Sequence, residues 1–308
     1  MNYTNDIEIK NRLAIIKQMR SLLSMIGFFI VLIAQAQNDQ VEIKVHKLTD
    51  HIYMLTGKGG NIGISVGQDG VFMIDDQFAP LTSKILTAIK SISDQPVTYV
   101  FNTHWHGDHT GGNLNMANEG AIIVAHENVR KRMHFDQLMK GQKKQGVSKK
   151  SLPVITFTED MMYYFNEEEV FISHIHKAHT DGDALVYFTK NNVLHMGDAY
   201  FQGKFPYIDI ASGGTIDGYI EGIKKAILLI NDDTQVIPGH GKVSNKSELK
   251  SYVNMLKILR QRVMDEISLG KSLEQVKVNI NLTKGYSSYN GWITEERIRV
   301  SIYKSLQK

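Results

Sequence analysis

The chain has 308 residues, 42% of them hydrophobic and 22% charged, with a formal net charge of +3. That composition is ordinary for a globular protein, the length allows one large domain or two small ones around a sizeable core, and the charge balance gives no reason to expect nucleic acid or a membrane surface as a partner. Cysteine is absent, which excludes disulfides, thiolate zinc sites and cysteine nucleophiles; any metal must be held by imidazole and carboxylate, and twelve histidines are at hand.

Residues 1–36 read as an N-terminal extension and export signal. Arg20 precedes the apolar run Leu22 to Ala34, and Ala34-Gln35-Ala36 fits small-x-small cleavage before Gln37. The run is shorter than the roughly 20 residues needed to span a bilayer. The expectation is therefore a cleaved signal, no stable membrane anchor, and a periplasmic or secreted product. Both Met1 and Met19 stay open as the start of that signal.

Residues 37–308 read as one domain. Val41 to Val45, Ile52 to Leu55, Ile62 to Val66 and Val71 to Ile74 are short β-rich runs separated by turn residues such as Gly57, Gly59, Gly60, Gly67 and Gly70. Pro80 to Ile92 carries a helical rhythm in Leu81, Ile85, Leu86 and Ile89, and Tyr99 to Phe101 is a strand that runs into a cluster of histidines. Further strands are expected at Ala121 to Val124, Val170 to Ile172, Ala184 to Phe188, Val193 to Met196 and Val236-Ile237. Helices are expected at Asp217 to Ile230, Lys246 to Leu269 and Thr294 to Leu306, the last two within a C-terminal helical region of about 246–308. Between Met133 and Phe157 lies a Lys-rich polar segment, a solvated helix or loop by the plain reading and a lid by the functional one. Runs of strands interrupted by helices, without strict alternation, predict two packed sheets with helices outside, an α+β arrangement. Residues 270–308 carry no motif that assigns them a role.

His104, His106, Asp108 and His109 fall within six residues, just beyond a predicted strand. Two apart on extended backbone, His104 and His106 can aim at one ion, and Asp108 and His109 turn toward a second. Four potential ligands so close are poor core packing, because buried charge and ring nitrogens need partners. Gly107, Gly111 and Gly112 are expected to allow the tight backbone this crowding requires.

The string Asn102-Thr103-His104-Trp105-His106-Gly107-Asp108-His109-Thr110-Gly111-Gly112 resembles the HxHxDH signature of the metallo-β-lactamase superfamily. Other motifs follow in that family's order. His179, in Ala178-His179-Thr180-Asp181-Gly182-Asp183, is similar to the third histidine of the first metal. Asp198, in His195-Met196-Gly197-Asp198, is similar to the aspartate that bridges both ions, and His240, in Pro238-Gly239-His240-Gly241, to the last histidine of the second. Asp75 matches the early aspartate that supports the histidine loop, with Asp76 adjacent as a competitor for that role. The resemblance covers roughly residues 41–245 and implies a four-layer αββα sandwich with the metals at one edge. His174 and His176 alternate along a strand and read as ordinary strand residues; His46, His51, His126, His134 and His195 are unassigned.

The implied ligand set is His104, His106, Asp108, His109, His179, Asp198 and His240, and the implied cofactors are two zinc ions, with iron or manganese also compatible with such ligands. The implied activity is hydrolysis of a small carbonyl substrate, a lactone, thioester or β-lactam-like ring, by water made nucleophilic near neutral pH. Asp108 doubles as the catalytic residue that orients this water and shuttles its proton. An aspartate at the bridging place is more similar to glyoxalase II and the acyl-homoserine lactonases than to the exported β-lactamases, which carry a cysteine there. Their carboxylate-binding lysine also falls at Phe201, with Lys204 nearby. Three alternatives stay open: a true class B β-lactamase, an iron-dependent redox enzyme of the same fold similar to the persulfide dioxygenases, and a non-catalytic binder.

Overall fold

The β-rich runs after residue 40 pair into a meander: β1 (Lys44–Lys47), β2 (Ile52–Thr56), β3 (Ile62–Gly67) and β4 (Gly70–Ile74), each antiparallel to the next. The first strand begins at Lys44 rather than Val41, and all four of its residues are exposed, so no buried face marks its limits. Helix α1 (Thr82–Lys90) then crosses to β5 (Val97–Asn102), which lies parallel to β4. Two short helices, α2 (Gly107–Thr110) and α3 (Asn113–Asn118), lead to β6 (Ile122–His126), and α4 (Glu127–Gly141) leads on toward β7 (Ile155–Phe157). Among the described residues these strands form a seven-stranded sheet in the order β1 to β7.

The second sheet contains β8 (Asp160–Phe165), β9 (Glu168–Ile175), β10 (Asp183–Phe188), β11 (Val193–His195) and β12 (Gln235–Ile237), in the spatial order β12-β11-β10-β9-β8. Its last pair is parallel, as the intervening helix α5 (Ile216–Leu229) requires. Helices α6 (Lys246–Ser268), α7 (Leu273–Val278) and α8 (Glu295–Leu306) complete the body. The structure, a computed structural model, describes residues 40–141 and 148–307, and all these elements belong to the unit Ile43–Lys308. The expected export signal at 1–36 lies outside the described residues. Among the described residues no helix is long and apolar enough to cross a membrane.

One core lies between the sheets, where Ile52, Phe72 and Phe101 of the first meet Ile172, Val186 and Phe188 of the second. The outer face of the second sheet, with Ile175, Leu185 and Leu194, is covered by Ile220 and Ile223 of α5, Leu256 and Leu259 of α6, and Ile302 of α8. Over the first sheet, Ala125 packs with Val129 and Met133 of α4. The result is helix, sheet, sheet, helix. Strand β8 gives no sequence signal because its outward residues Met162 and Tyr164 are as apolar as its inward ones; without a polar partner set, alternation cannot show.

Candidate metal centre

Every candidate ligand sits just past the end of a strand. His104 and His106 follow β5, His179 lies between β9 and β10, Asp198 follows β11 in a tight turn, and His240 follows β12. Asp108 and His109 come from α2, a single helical turn that carries them round toward the second group. Two backbone bonds hold the strand ends together: Asp75 N–H donates to the Phe101 carbonyl, and Ala184 N–H to the Thr103 carbonyl, which joins the two sheets at the site. All seven side chains converge in two groups, His104 with His106, His179 and Asp198, and Asp108 with His109 and His240. Within each group one ligand atom per residue lies within 4.8 Å of every other.

The surroundings fix which ring nitrogens carry protons. His179 Nδ1 lies 2.7 Å from the Tyr207 carbonyl, which can only accept, so that nitrogen donates and Nε2 keeps its lone pair. His106 Nε2 donates to Asp209 Oδ2 at 2.9 Å, which leaves the lone pair on Nδ1. The hydroxyl of Thr103 donates to Asp75 at 2.7 Å and so accepts from His104 Nδ1 at 3.1 Å, leaving Nε2 of His104 bare. His109 Nδ1 donates to Asp75 Oδ2 at 2.6 Å. Four imidazoles thus turn their second ring nitrogens inward. Nδ1 of His106 and Nε2 of His179 stand only 2.8 Å apart, a repulsive approach without a positive charge between them. Nε2 of His104, Nε2 of His109 and Oδ1 of Asp198 are buried with no hydrogen-bond partner among the described residues, although His109 Nε2 and Asp198 Oδ1 are 3.1 Å apart. Buried acceptors left unpaired are costly, and divalent cations would satisfy them together. The residues fit such ions.

The metallo-beta-lactamase superfamily matches residues 55–260. This chain belongs to that superfamily. The chain is similar to a hydroxyacylglutathione hydrolase from Polaromonas sp., 24% identical over 167 residues, a match that takes in 54% of this chain and only 57% of that protein. Among solved structures, a metallo-beta-lactamase from Pontibacter korlensis superposes with a TM-score of 0.57 at 21% identity, over 70% of this chain and 99% of that one. The DIM-1 metallo-beta-lactamase gives 0.58 at 18% identity, over 71% and 99%. At such identities the structural likeness speaks for the fold.

Within this metallo-beta-lactamase fold the electrostatics centre on Asp198. Burial opposes its charge, but the rings of His240, His109 and His104 outweigh burial and hold its carboxyl well below the usual range. Burial drives His104 well below its ordinary value and His179 down to about 4, so both are bare ligands at neutral pH. His109 is pulled the other way: burial opposes protonation, but Asp198 and Asp75 overcome it and raise the ring well above its ordinary value. A cation entering here therefore displaces protons.

Close backbone approach, rather than turn conformation, explains most glycines of the site. A Cβ on Gly60 would fall 2.1 Å from Cε1 of His109, and one on Gly239 2.1 Å from Oδ1 of Asp198. Gly111 and Gly112 likewise press on the backbone of Gln77 and Asp76, whereas a Cβ on Gly107 would meet nothing within 4 Å. Gly107 is thus not the steric requirement that the sequence suggested. Asp75 is the residue that supports the histidine loop; Asp76 instead accepts from Gly112 N–H at 2.9 Å.

Several supporting residues escape sequence inspection. Asp209 orients His106 from 103 positions away. His195 donates from Nε2 to the Asn61 carbonyl at 3.2 Å and accepts Gly197 N–H at 3.1 Å, shaping the turn that carries Asp198. Asn61 in turn holds the carbonyls of Pro238 and Gly241 on either side of His240. Phe201 stacks flat on His240, centroids 5.1 Å apart. Lys204, 3.1 Å from the Asn290 carbonyl, lies on the wall of a cavity of about 640 Å³ above the ligands. None of the described residues of the Lys-rich segment lines that cavity. His174 and His176 lie outside the site, with His174 stacked on His126 at 3.9 Å.

Proposed function

We propose that this protein is a two-cation hydrolase of small neutral carbonyl substrates, lactones or thioesters ahead of β-lactams. The observation that carries the reading is the set of four imidazoles whose outer nitrogens are tied to Asp75, Thr103, Asp209 and the Tyr207 carbonyl, so that their inner nitrogens gather around Asp198. His104, His106 and His179 would hold one cation, Asp108, His109 and His240 the other, and Asp198 would touch both. When bound, a pair of zinc ions supplies Lewis-acid polarisation of the carbonyl and a water acidic enough to attack near neutral pH.

The chain's own groups do the rest. Asp108 is the least buried of the acidic ligands and lines the cavity, with Oδ2 3.3 Å from His240 Nε2. Its remaining carboxylate capacity can take the proton of the attacking water and return it to the leaving oxygen or sulfur. His240 is kept in place by the flat face of Phe201, and the resemblance to the exported β-lactamases puts Phe201 where they carry the lysine that binds the substrate carboxylate. A charge-assisted bond lost there is worth about 1.5–3 kcal/mol, or one to two decades in efficiency. The similarity to a hydroxyacylglutathione hydrolase supports acyl-transfer chemistry of the same kind.

Metal analysis of the purified protein, with kinetics on lactones, thioesters and penicillins, tests the proposal. About two zinc ions per chain are expected, with lactone or thioester turnover that a chelator abolishes and zinc restores, and Asp198→Ala should lose most of the second ion. Predominant iron with redox activity, or penicillin hydrolysis faster than either ester class, would refute it.

A further inference from the structure

The cavity over the ligands is divided by chemistry. Its floor is polar, made by His106, Asp108, Asp198 and His240, and its walls are apolar, made by Phe201, Phe205, Tyr207, Trp292 and Ile293. Trp292 and Ile293 lie beyond the residues matched by the superfamily, 55–260, in the C-terminal region to which the sequence assigned no role. Trp292 is 67% exposed, a large aromatic face left open at the rim of a site.

That exposed ring is not loose. Its edge meets Tyr207 at a centroid distance of 5.1 Å, and the Arg297 guanidinium lies over it at 5.2 Å while donating to the Trp292 carbonyl at 3.0 Å. The segment is latched to the cavity wall by Phe205 N–H donating to the Tyr289 carbonyl at 2.8 Å and by Lys204 donating to the Asn290 carbonyl. A held aromatic surface that stays wet gains most when a ligand covers it.

We propose that Trp292, with Tyr207 and Ile293, forms an apolar subsite that receives an alkyl or aryl substituent of the substrate, placed away from the scissile carbonyl on the polar floor. The kinetic part of this inference rests on the hydrolase reading above; the binding part does not. The wall residues that the substituent would meet, Tyr207, Trp292 and Ile293, are aromatic or aliphatic, and Lys204 points one N–H at the Asn290 carbonyl, so the substituent selected here is uncharged.

The test uses the full-length metal-loaded protein and a series of γ-lactones whose ring substituent grows from methyl to hexyl. Half-burial of each added methylene should raise kcat/KM about twofold, through KM. Trp292→Ala should flatten the series, costing the hexyl lactone about thirtyfold while leaving the methyl lactone within about twofold, and Trp292→Phe should restore most of the slope. In parallel, binding of 2-alkylcyclopentanones, which cannot be hydrolysed, is followed by isothermal titration calorimetry, a readout that does not depend on the residue replaced. Affinity should rise with alkyl length, and that rise should disappear in Trp292→Ala. If ketone binding follows this pattern and no lactone is cleaved, the subsite stands and the hydrolase reading fails. The proposal is overturned if ketone affinity is indifferent to alkyl length, if the slope survives in Trp292→Ala, or if acidic substituents are preferred and Lys204→Ala abolishes that preference.

Discussion

Asp75→Asn separates charge from backbone at the centre of the supporting network. Asp75 has a φ of 61°, a conformation that Asp and Asn both tolerate better than most side chains, so asparagine keeps the turn. The carboxylate accepts three hydrogen bonds: from Thr103 N–H at 2.8 Å, from the Thr103 hydroxyl at 2.7 Å and from His109 Nδ1 at 2.6 Å. An amide serves them badly in either orientation. With its oxygen toward His109, its NH2 meets the Thr103 backbone N–H, which cannot turn away. With its oxygen toward Thr103 N–H, its NH2 meets Nδ1 of His109 and forces that ring into the tautomer whose Nε2 carries the proton. The first arrangement leaves buried donors facing each other, at a cost of about 1–3 kcal/mol; the second removes a ligand. Loss of an orienting partner of this type lowers metal affinity about 10- to 100-fold, or about 1.4–2.7 kcal/mol. Titration against a chromophoric chelator should show the weaker cation site loosened by that factor. Thermal unfolding with and without zinc should show a smaller stabilisation by the metal than in the natural protein. Equal affinity for both ions, with an unchanged zinc-dependent shift of the melting temperature, would show that Asp75 does not set the His109 tautomer.

Three further outcomes are expected. Asp209→Ala frees Nε2 of His106, so the first cation should bind about tenfold more weakly, read by the same chelator competition; unchanged affinity would place the anchoring of His106 elsewhere. Gly60→Ala drives a methyl into the His109 ring, and no rotamer change can move a Cβ. Metal content should therefore fall below one ion per chain or the fold should lose several degrees of melting temperature; a fully loaded, equally stable variant would contradict the close approach. His174, held down to about 4 by burial and the stacked His126 ring, stays neutral in the fold while the unfolded chain takes up a proton below about 6.5. The unfolded state then binds more protons between those values, so this group's contribution to stability falls as pH drops from about 6.5 to 4, by on the order of 1–3 kcal/mol. The groups that face it are His126, His176 and Glu159. Urea unfolding of the natural protein and His174→Gln at both ends of that window should give a pH-dependent difference, and a constant difference would rule the assignment out.

How much of this was legible beforehand depends on distance along the chain. The histidine motif needs only six consecutive residues after a strand, so local spacing was enough to single it out, whereas His179, Asp198 and His240 entered through the resemblance of the motifs around them to the family's. Strand existence was legible in runs rich in Val and Ile between turn residues, including Gly70–Ile74, which is buried on both faces. It failed at Asp160–Phe165, which has no β-branched residue and whose Met and Tyr side chains do not separate by polarity. The Lys-rich segment from Met133 to Phe157 was legible only as a solvated helix or loop; its start belongs to the helix Glu127–Gly141 and its end to the strand Ile155–Phe157.

By itself, then, the sequence determined the ligand chemistry: imidazole and carboxylate in a set order, without thiolate, on a chain patterned for two sheets. Tertiary structure decided which ring nitrogen each histidine offers. The groups that make that choice, Asp75, Asp209 and the Tyr207 carbonyl, lie 28 to 103 residues from the rings they orient. It also decided the substrate wall, because Trp292 reaches the cavity only when the C-terminal segment folds back onto Phe205 and Tyr207. Periodicity reports the face that a residue presents to its neighbours within a few turns. Contacts made by closing long loops leave no such local trace, since their energy is realised only when the whole core has formed.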